Sequence, residues 1–100
     1  MADQPVAAPP ALTVTVRYSA AARAAAGRPE ERLTIPSATG AAPSCTVTSV
    51  LAAAVARHGR PLERILERCS FLLDEVAVHG AATPVRDGQA LDVLPPFAAG

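Results

Sequence analysis

One hundred residues carrying nine arginines, no lysine and nine acidic residues have no net charge, and they are too few for a second domain of any size. Half of the residues are hydrophobic and twenty-three of those fifty are alanine, so a small core has to be built from a limited set of Val, Leu, Ile and aromatic side chains. Balanced charge with 3% aromatic content argues against nucleic acid as a partner, and the absence of lysine excludes Schiff-base chemistry and self-linked isopeptide chains.

Residues 1–10 hold three prolines and few large apolar side chains, a composition that predicts a loose N-terminal tail. This start also lacks the basic residues and leucine-rich stretch of an export signal. No apolar run approaches the roughly 18 to 20 residues of a membrane span. The expectation is therefore a cytoplasmic chain, no membrane contact, and Cys45 and Cys69 as reduced thiols, although two cysteines alone do not exclude a bridge.

The domain is expected over 11–96. Leu12, Val14, Val16 and Tyr18 alternate with Thr13, Thr15 and Arg17, the period of a strand with one buried face. The alanine-rich stretch 19–26, followed by Gly27, predicts a short helix with a glycine C-cap and little burial. Residues 31–35 repeat the strand alternation, with Leu33 and Ile35 inward and Arg32 and Thr34 outward. Residues 36–44 are loop by composition.

Val47, Val50, Leu51, Ala54 and Val55 form the apolar stripe of the main helix, with Thr48 read as its N-cap and Arg57-His58-Gly59 as its C-terminal signature. Pro61 opens a second helical stretch with Leu62, Ile65, Leu66 and Cys69 on one face. The last third predicts strands at 71–73 and 76–78 with a turn at Asp74-Glu75 between them. A further turn at Arg86-Asp87-Gly88-Gln89 leads into a final, central strand at 90–94 with Leu91 and Val93 inward. Strands interrupted by one dominant helix make an α+β roll: a mixed sheet wrapped over a helix.

Conventional catalytic groups are few. His58 and His79 read as structural, because no second His or Cys lies at ligand spacing, and no metal site is expected. Cys45 precedes a helix, where a thiolate can be stabilised, but an ordinary small thiol is the simpler account. Cys69 reads as core. Glu63 and Glu67 share a solvated helix face with arginines, and the isolated Gly80 and Gly88 make no phosphate loop.

The C-terminus, Leu91-Asp-Val-Leu-Pro-Pro-Phe-Ala-Ala-Gly100, is different. A strand runs directly into Pro95-Pro96, which fixes φ at two positions and holds Leu94 and Pro95 extended. Residues 97–100 must then leave the sheet as a projecting arm. Composition alone favours an ordinary frayed end. The arm gains chemical meaning if the terminal α-carboxylate of Gly100 is the reactive group, since small residues thread a narrow channel and glycine allows close approach to its carbonyl.

With these residues in view, the sequence resembles the MoaD/ThiS family of ubiquitin-like sulfur carriers, and most closely its MoaD branch. The resemblance rests on residues 14–27, on Thr46-Val-Thr-Ser-Val-Leu51, on Arg86-Asp-Gly-Gln-Ala-Leu-Asp-Val-Leu-Pro-Pro96 and on the terminal glycine. With the order of elements it covers about residues 11–100.

The resemblance implies a β-grasp fold and a non-catalytic carrier subunit of molybdopterin synthase that binds no cofactor itself. A MoeB-like E1 enzyme would adenylate the Gly100 carboxylate with MgATP, and a sulfur donor protein would convert it to a thiocarboxylate. A MoaE-like large subunit would then receive the tail, and the sulfur would pass to precursor Z in molybdenum cofactor biosynthesis. Leu94, Pro95, Pro96, Phe97, Ala98 and Ala99 would form the tail and partner-binding surface, with Leu94 and Phe97 as apolar anchors beside the exposed sheet face. A ThiS-like carrier for thiazole synthesis and a β-grasp binding module or protein modifier that is never sulfurated are the alternatives. The chain departs from the family pattern at Ala99, where the family has glycine, at Ser19, often aromatic there, and in the length of 36–44.

Overall fold

A computed structural model describes residues 11–36 and 45–96. The expectations for residues 1–10, 37–44 and 97–100 lie outside the described residues. The elements follow in the order β1 (Ala11–Tyr18), α1 (Ala20–Ala26), β2 (Glu30–Pro36), α2 (Val47–His58), α3 (Arg60–Leu66), β3 (Ser70–Leu73), β4 (Val76–Ala77) and β5 (Ala90–Leu94).

The strands form one mixed sheet in the order β2-β1-β5-β3-β4. β5 pairs in parallel with β1, Thr15 to Tyr18 lying opposite Ala90 to Val93, and antiparallel with β3 on its other side. β1–β2 and β3–β4 are antiparallel hairpin pairs. The last strand in sequence is thus central, as expected, and Leu91 and Val93 face inward as the alternation predicts. Parallel pairing requires a long crossover, which α2 and α3 supply.

Strand alternation sends Val14, Val16, Leu33, Ile35, Leu91 and Val93 to one face, where they join Val47, Val50 and Ala54 of α2 and Leu62 and Leu66 of α3 in a single core. Leu62, Leu91, Val14, Val16, Val50 and Val93 are completely shielded from solvent.

The structure corrects four expectations. The N-cap of α2 is Thr46, not Thr48. Thr46 is extended and its Oγ1 accepts from the Ser49 amide at 3.3 Å, while Ser49 Oγ accepts from the Thr46 amide at 3.2 Å. This capping box starts the helix two residues earlier and leaves Thr48 in the first turn, its hydroxyl donating to the Ala81 carbonyl. Helix α1 is not marginal to the core: Ala22 and Ala26 are buried, because alanine lets the helix backbone approach closely. Pro36 is the last residue of β2 rather than loop. It pairs with Ala11 on an edge strand, where a missing N–H breaks no ladder. Finally, Cys69 lies just beyond α3 and is half-buried, packed against the core rather than within it, its thiol donating to the Ile65 carbonyl at 3.1 Å.

Other local readings match. Gly27 caps α1 with φ 78°, the left-handed conformation glycine adopts most easily. Asp74 and Glu75 both have positive φ and form the two-residue turn joining β3 to β4.

Replacing Thr46 with alanine removes the cap, and a loss of about 1 kcal/mol of unfolding free energy is expected in a urea titration. Thr48→Ala should cost clearly less, and equal losses would place the cap at Thr48 after all.

Candidate functional site: the exit of the C-terminal segment

β5 ends where its neighbours stop supporting it. The Ser19 amide donates to the Val93 carbonyl at 3.1 Å, after which the chain of β1 turns into α1. On the other side Ser70, the first residue of β3, pairs with Leu94. Pro95 and Pro96 follow, both exposed and neither able to donate to a ladder. Sheet pairing therefore terminates at Leu94, as the Pro-Pro pair predicts.

Leu94 is half-buried on the face of the sheet opposite the core, the face that also carries Asp92, Arg17 and Leu72. Arg17 Nε lies 2.7 Å from Asp92 Oδ1 across the β1–β5 pair, which neutralises the centre of this face. The structure thus brings Leu94, Pro95 and Pro96 together at one end of the sheet. Phe97, Ala98, Ala99 and Gly100, the remaining candidate residues, lie outside the described residues.

At the same end, a groove of about 620 Å³ runs between α1 and α3. Ala20, Ala21, Ala22, Ile65, Arg64 and Arg68 line it together with Cys69, Pro95 and Pro96. Burial pushes the Cys69 thiol up, so it is not a ready nucleophile.

A charge cluster missing from the sequence reading supports this end from the core side. Glu31 is 6% exposed. Its Oε2 accepts from Tyr18 Oη at 2.6 Å and lies 2.6 Å from His58 Nε2. Arg57 Nε approaches Oε1 to 3.0 Å and Arg28 to 3.7 Å, yet Oε1 makes no aligned hydrogen bond, so these arginines act as nearby charge. Burial by itself would raise the Glu31 carboxyl, but the hydrogen bonds from Tyr18 and His58 and the Arg57 charge outweigh it and hold the group below the usual carboxylate range. Burial and the adjacent Glu31 carboxylate push the Tyr18 phenol up, so the proton stays on the phenol. The signal was present: Glu31 shares the inward parity of Leu33 and Ile35.

The other candidates keep the roles composition assigned. Cys45 is 2% exposed and burial raises its thiol, which suits a small core residue. His79, Glu63 and Glu67 are exposed. Cys45 and Cys69 are not bridged. Among the described residues no group of three or more His, Cys, Asp and Glu side chains comes together, and no helix is long and apolar enough to cross a membrane.

No protein-family model matches the sequence, and neither does any curated protein. Solved structures do match. The solution structure of the Haloferax volcanii HVO 2177 protein superposes with a TM-score of 0.75 at 21% identity, covering 97% of this chain and 94% of that one. Small archaeal modifier protein 1 from Methanosarcina acetivorans gives 0.70 at 20% identity over 90% and 98%. A protein–protein complex of subunits 1 and 2 of the Helicobacter pylori molybdopterin-converting factor gives 0.55 at 22% identity over 89% and 100%. The fold is accordingly the ubiquitin-like β-grasp, a mixed five-stranded sheet packed on helices.

The depressed Glu31 ionisation sets the sign of an acid effect. Its stabilisation is complete above the unfolded carboxylate value of about 4.3 and is lost as pH falls through the lower folded value. Unfolding free energy should therefore drop in acid, and Glu31→Gln should flatten that part of the profile. At about pH 7 the same variant should lose on the order of 2 kcal/mol, because His58 and Arg57 lose their carboxylate. Urea titrations across acid pH check both, and an unchanged profile in the variant would assign the acid effect to other groups.

Proposed function

We propose that this chain is a ubiquitin-like sulfur carrier acting as the small subunit of molybdopterin synthase, with Gly100 as its reactive terminus. One observation carries the reading: the central strand, anchored by fully buried Leu91 and Val93, stops at exposed Pro95-Pro96. A strand held this firmly and released this abruptly is a mount for the segment that follows. The sequence resemblance over 86–96 and the terminal glycine supports the same reading, as does the likeness to a structure of molybdopterin-converting factor subunits in complex.

In this reading the chain supplies position and an acyl group. A carboxylate is a poor electrophile, so the Gly100 carboxyl is first joined to AMP on a MoeB-like E1 enzyme that binds MgATP. Sulfide-level sulfur delivered by a donor protein then attacks the acyl carbon and expels AMP, leaving a thiocarboxylate. The arm enters the active site of a MoaE-like large subunit, where the sulfur is passed to the pterin precursor. Leu94 and the outer sheet face dock the partner, Phe97 adds an anchor, and Ala98 and Ala99 keep the arm narrow. The surrounding compartment is the cytoplasm.

A modifier reading is favoured by one specific likeness, that to small archaeal modifier protein 1. A thiazole-pathway carrier would share the first two chemical steps.

Intact-mass analysis of the protein isolated from its own cells separates these readings. Exchange of one oxygen for sulfur at Gly100 is the expected result. Gly100 in isopeptide linkage to other proteins, with no sulfur gain on the free chain, would establish the modifier instead. Incubation with the activating enzyme of either pathway distinguishes molybdopterin from thiazole synthesis.

Ala99→Gly should accelerate adenylation and sulfur loading, because removing one methyl group restores easy access to positive φ beside the reactive carbonyl. Equal rates in a single-turnover assay would show that Ala99 is no obstacle.

A further inference from the structure

The groove between α1 and α3 is distinct from the outer sheet face on which the carrier reading relies. Its apolar lining includes Ala20, Ala21 and Ile65, which present methyl and methylene surface. Arg64 in α3 and Arg68, two residues beyond its end, also line it, and both are exposed. Only one carboxylate, Glu67, lines it with them.

Of the other arginines three face carboxylates, whereas Arg23, Arg32, Arg60 and Arg86, like the two on the groove, make no ion pair with a described residue. Arg17 is matched to Asp92, while Arg28 and Arg57 face Glu31. Arg64 and Arg68 make no ion pair with any described residue. Glu63 and Glu67 line the neighbouring concavity against α2, and because Glu67 borders both, the α1 side sets two guanidinium groups against one carboxylate. A planar, weakly hydrated guanidinium beside apolar surface is suited to bidentate pairing with a carboxylate.

We infer that the α1–α3 groove docks an acidic, apolar-anchored segment of a partner protein. One leucine- or phenylalanine-sized side chain seats on Ala20, Ala21 and Ile65, and flanking carboxylates pair with Arg64 and Arg68. Pro95 and Pro96 line the same groove, so a segment bound there lies against the chain leading to residue 100. That the docked protein is the one processing this terminus rests on the sulfur-carrier reading, whereas the docking itself does not.

Selection from a phage-displayed random peptide library on the immobilised full chain tests the inference. Enriched peptides should carry two or more Asp or Glu residues around one large apolar residue and should slow thiol labelling of Cys69. Their affinity should fall at least about tenfold on R64E/R68E and stay unchanged on Arg86→Glu, at the opposite end of β5. Far-UV circular dichroism verifies that the exposed substitutions leave the fold intact.

Failure to enrich acidic peptides, binding indifferent to R64E/R68E, or unaltered Cys69 labelling overturns the inference. Stoichiometric displacement of the peptides by a short oligonucleotide also overturns it, in favour of a general polyanion site. The selection involves no processing of Gly100, so its failure and a failure of the mass test on Gly100 are separate results.

Discussion

The placement of β5 between β1 and β3 is the constraint on which the rest of the molecule depends. Parallel pairing with β1 and antiparallel pairing with β3 satisfy both edges of the strand, and Leu91 and Val93 lock its inner face in the core. Because β1 runs the same way, its end at Tyr18 coincides with the end of β5 at Val93 and Leu94. The start of α1, the end of α2 and the departure of the C-terminal segment are thereby gathered at one pole. A slip of one residue would turn Leu91 and Val93 outward and break all of these relations together.

At that pole the buried carboxylate of Glu31 bonds to Tyr18 of β1 and His58 of α2, with Arg28 and Arg57 close by. Such a network is worth little as net stability against an apolar replacement, yet removing one member leaves an uncompensated charge or donor in a dry site. Its effect is to fix the end of α2 against the β1–β2 hairpin.

The two surfaces at the exit differ in character. The outer sheet face is closed electrostatically by the Arg17–Asp92 pair and offers Leu94 as its apolar element. The α1–α3 groove is apolar at its floor and unbalanced in charge at its wall. One surface is thus charge-neutral beside its apolar residues and the other pairs an apolar lining with two guanidinium groups, and both adjoin Pro95 and Pro96.

Strand and helix periods, Gly27, the Asp74-Glu75 turn and the Pro-Pro stop are local properties, so the sequence alone determined the elements of the α+β roll and the end of the last strand at Leu94, whereas the pairing of that strand between β1 and β3 is a tertiary result. Thr46 escaped because a capping box depends on one hydroxyl reaching one amide, and Thr46 and Thr48 look alike in a string of letters. Glu31 occupied an inward position in the pattern, but its partners lie 13 and 27 residues away, and only chain folding brought Tyr18 and His58 to it. The groove was invisible for the same reason: Ala21, Ile65 and Pro95 meet across three elements. Short-range sterics and periodicity write the elements into the sequence, while the grouping of distant charges and walls is decided by tertiary packing.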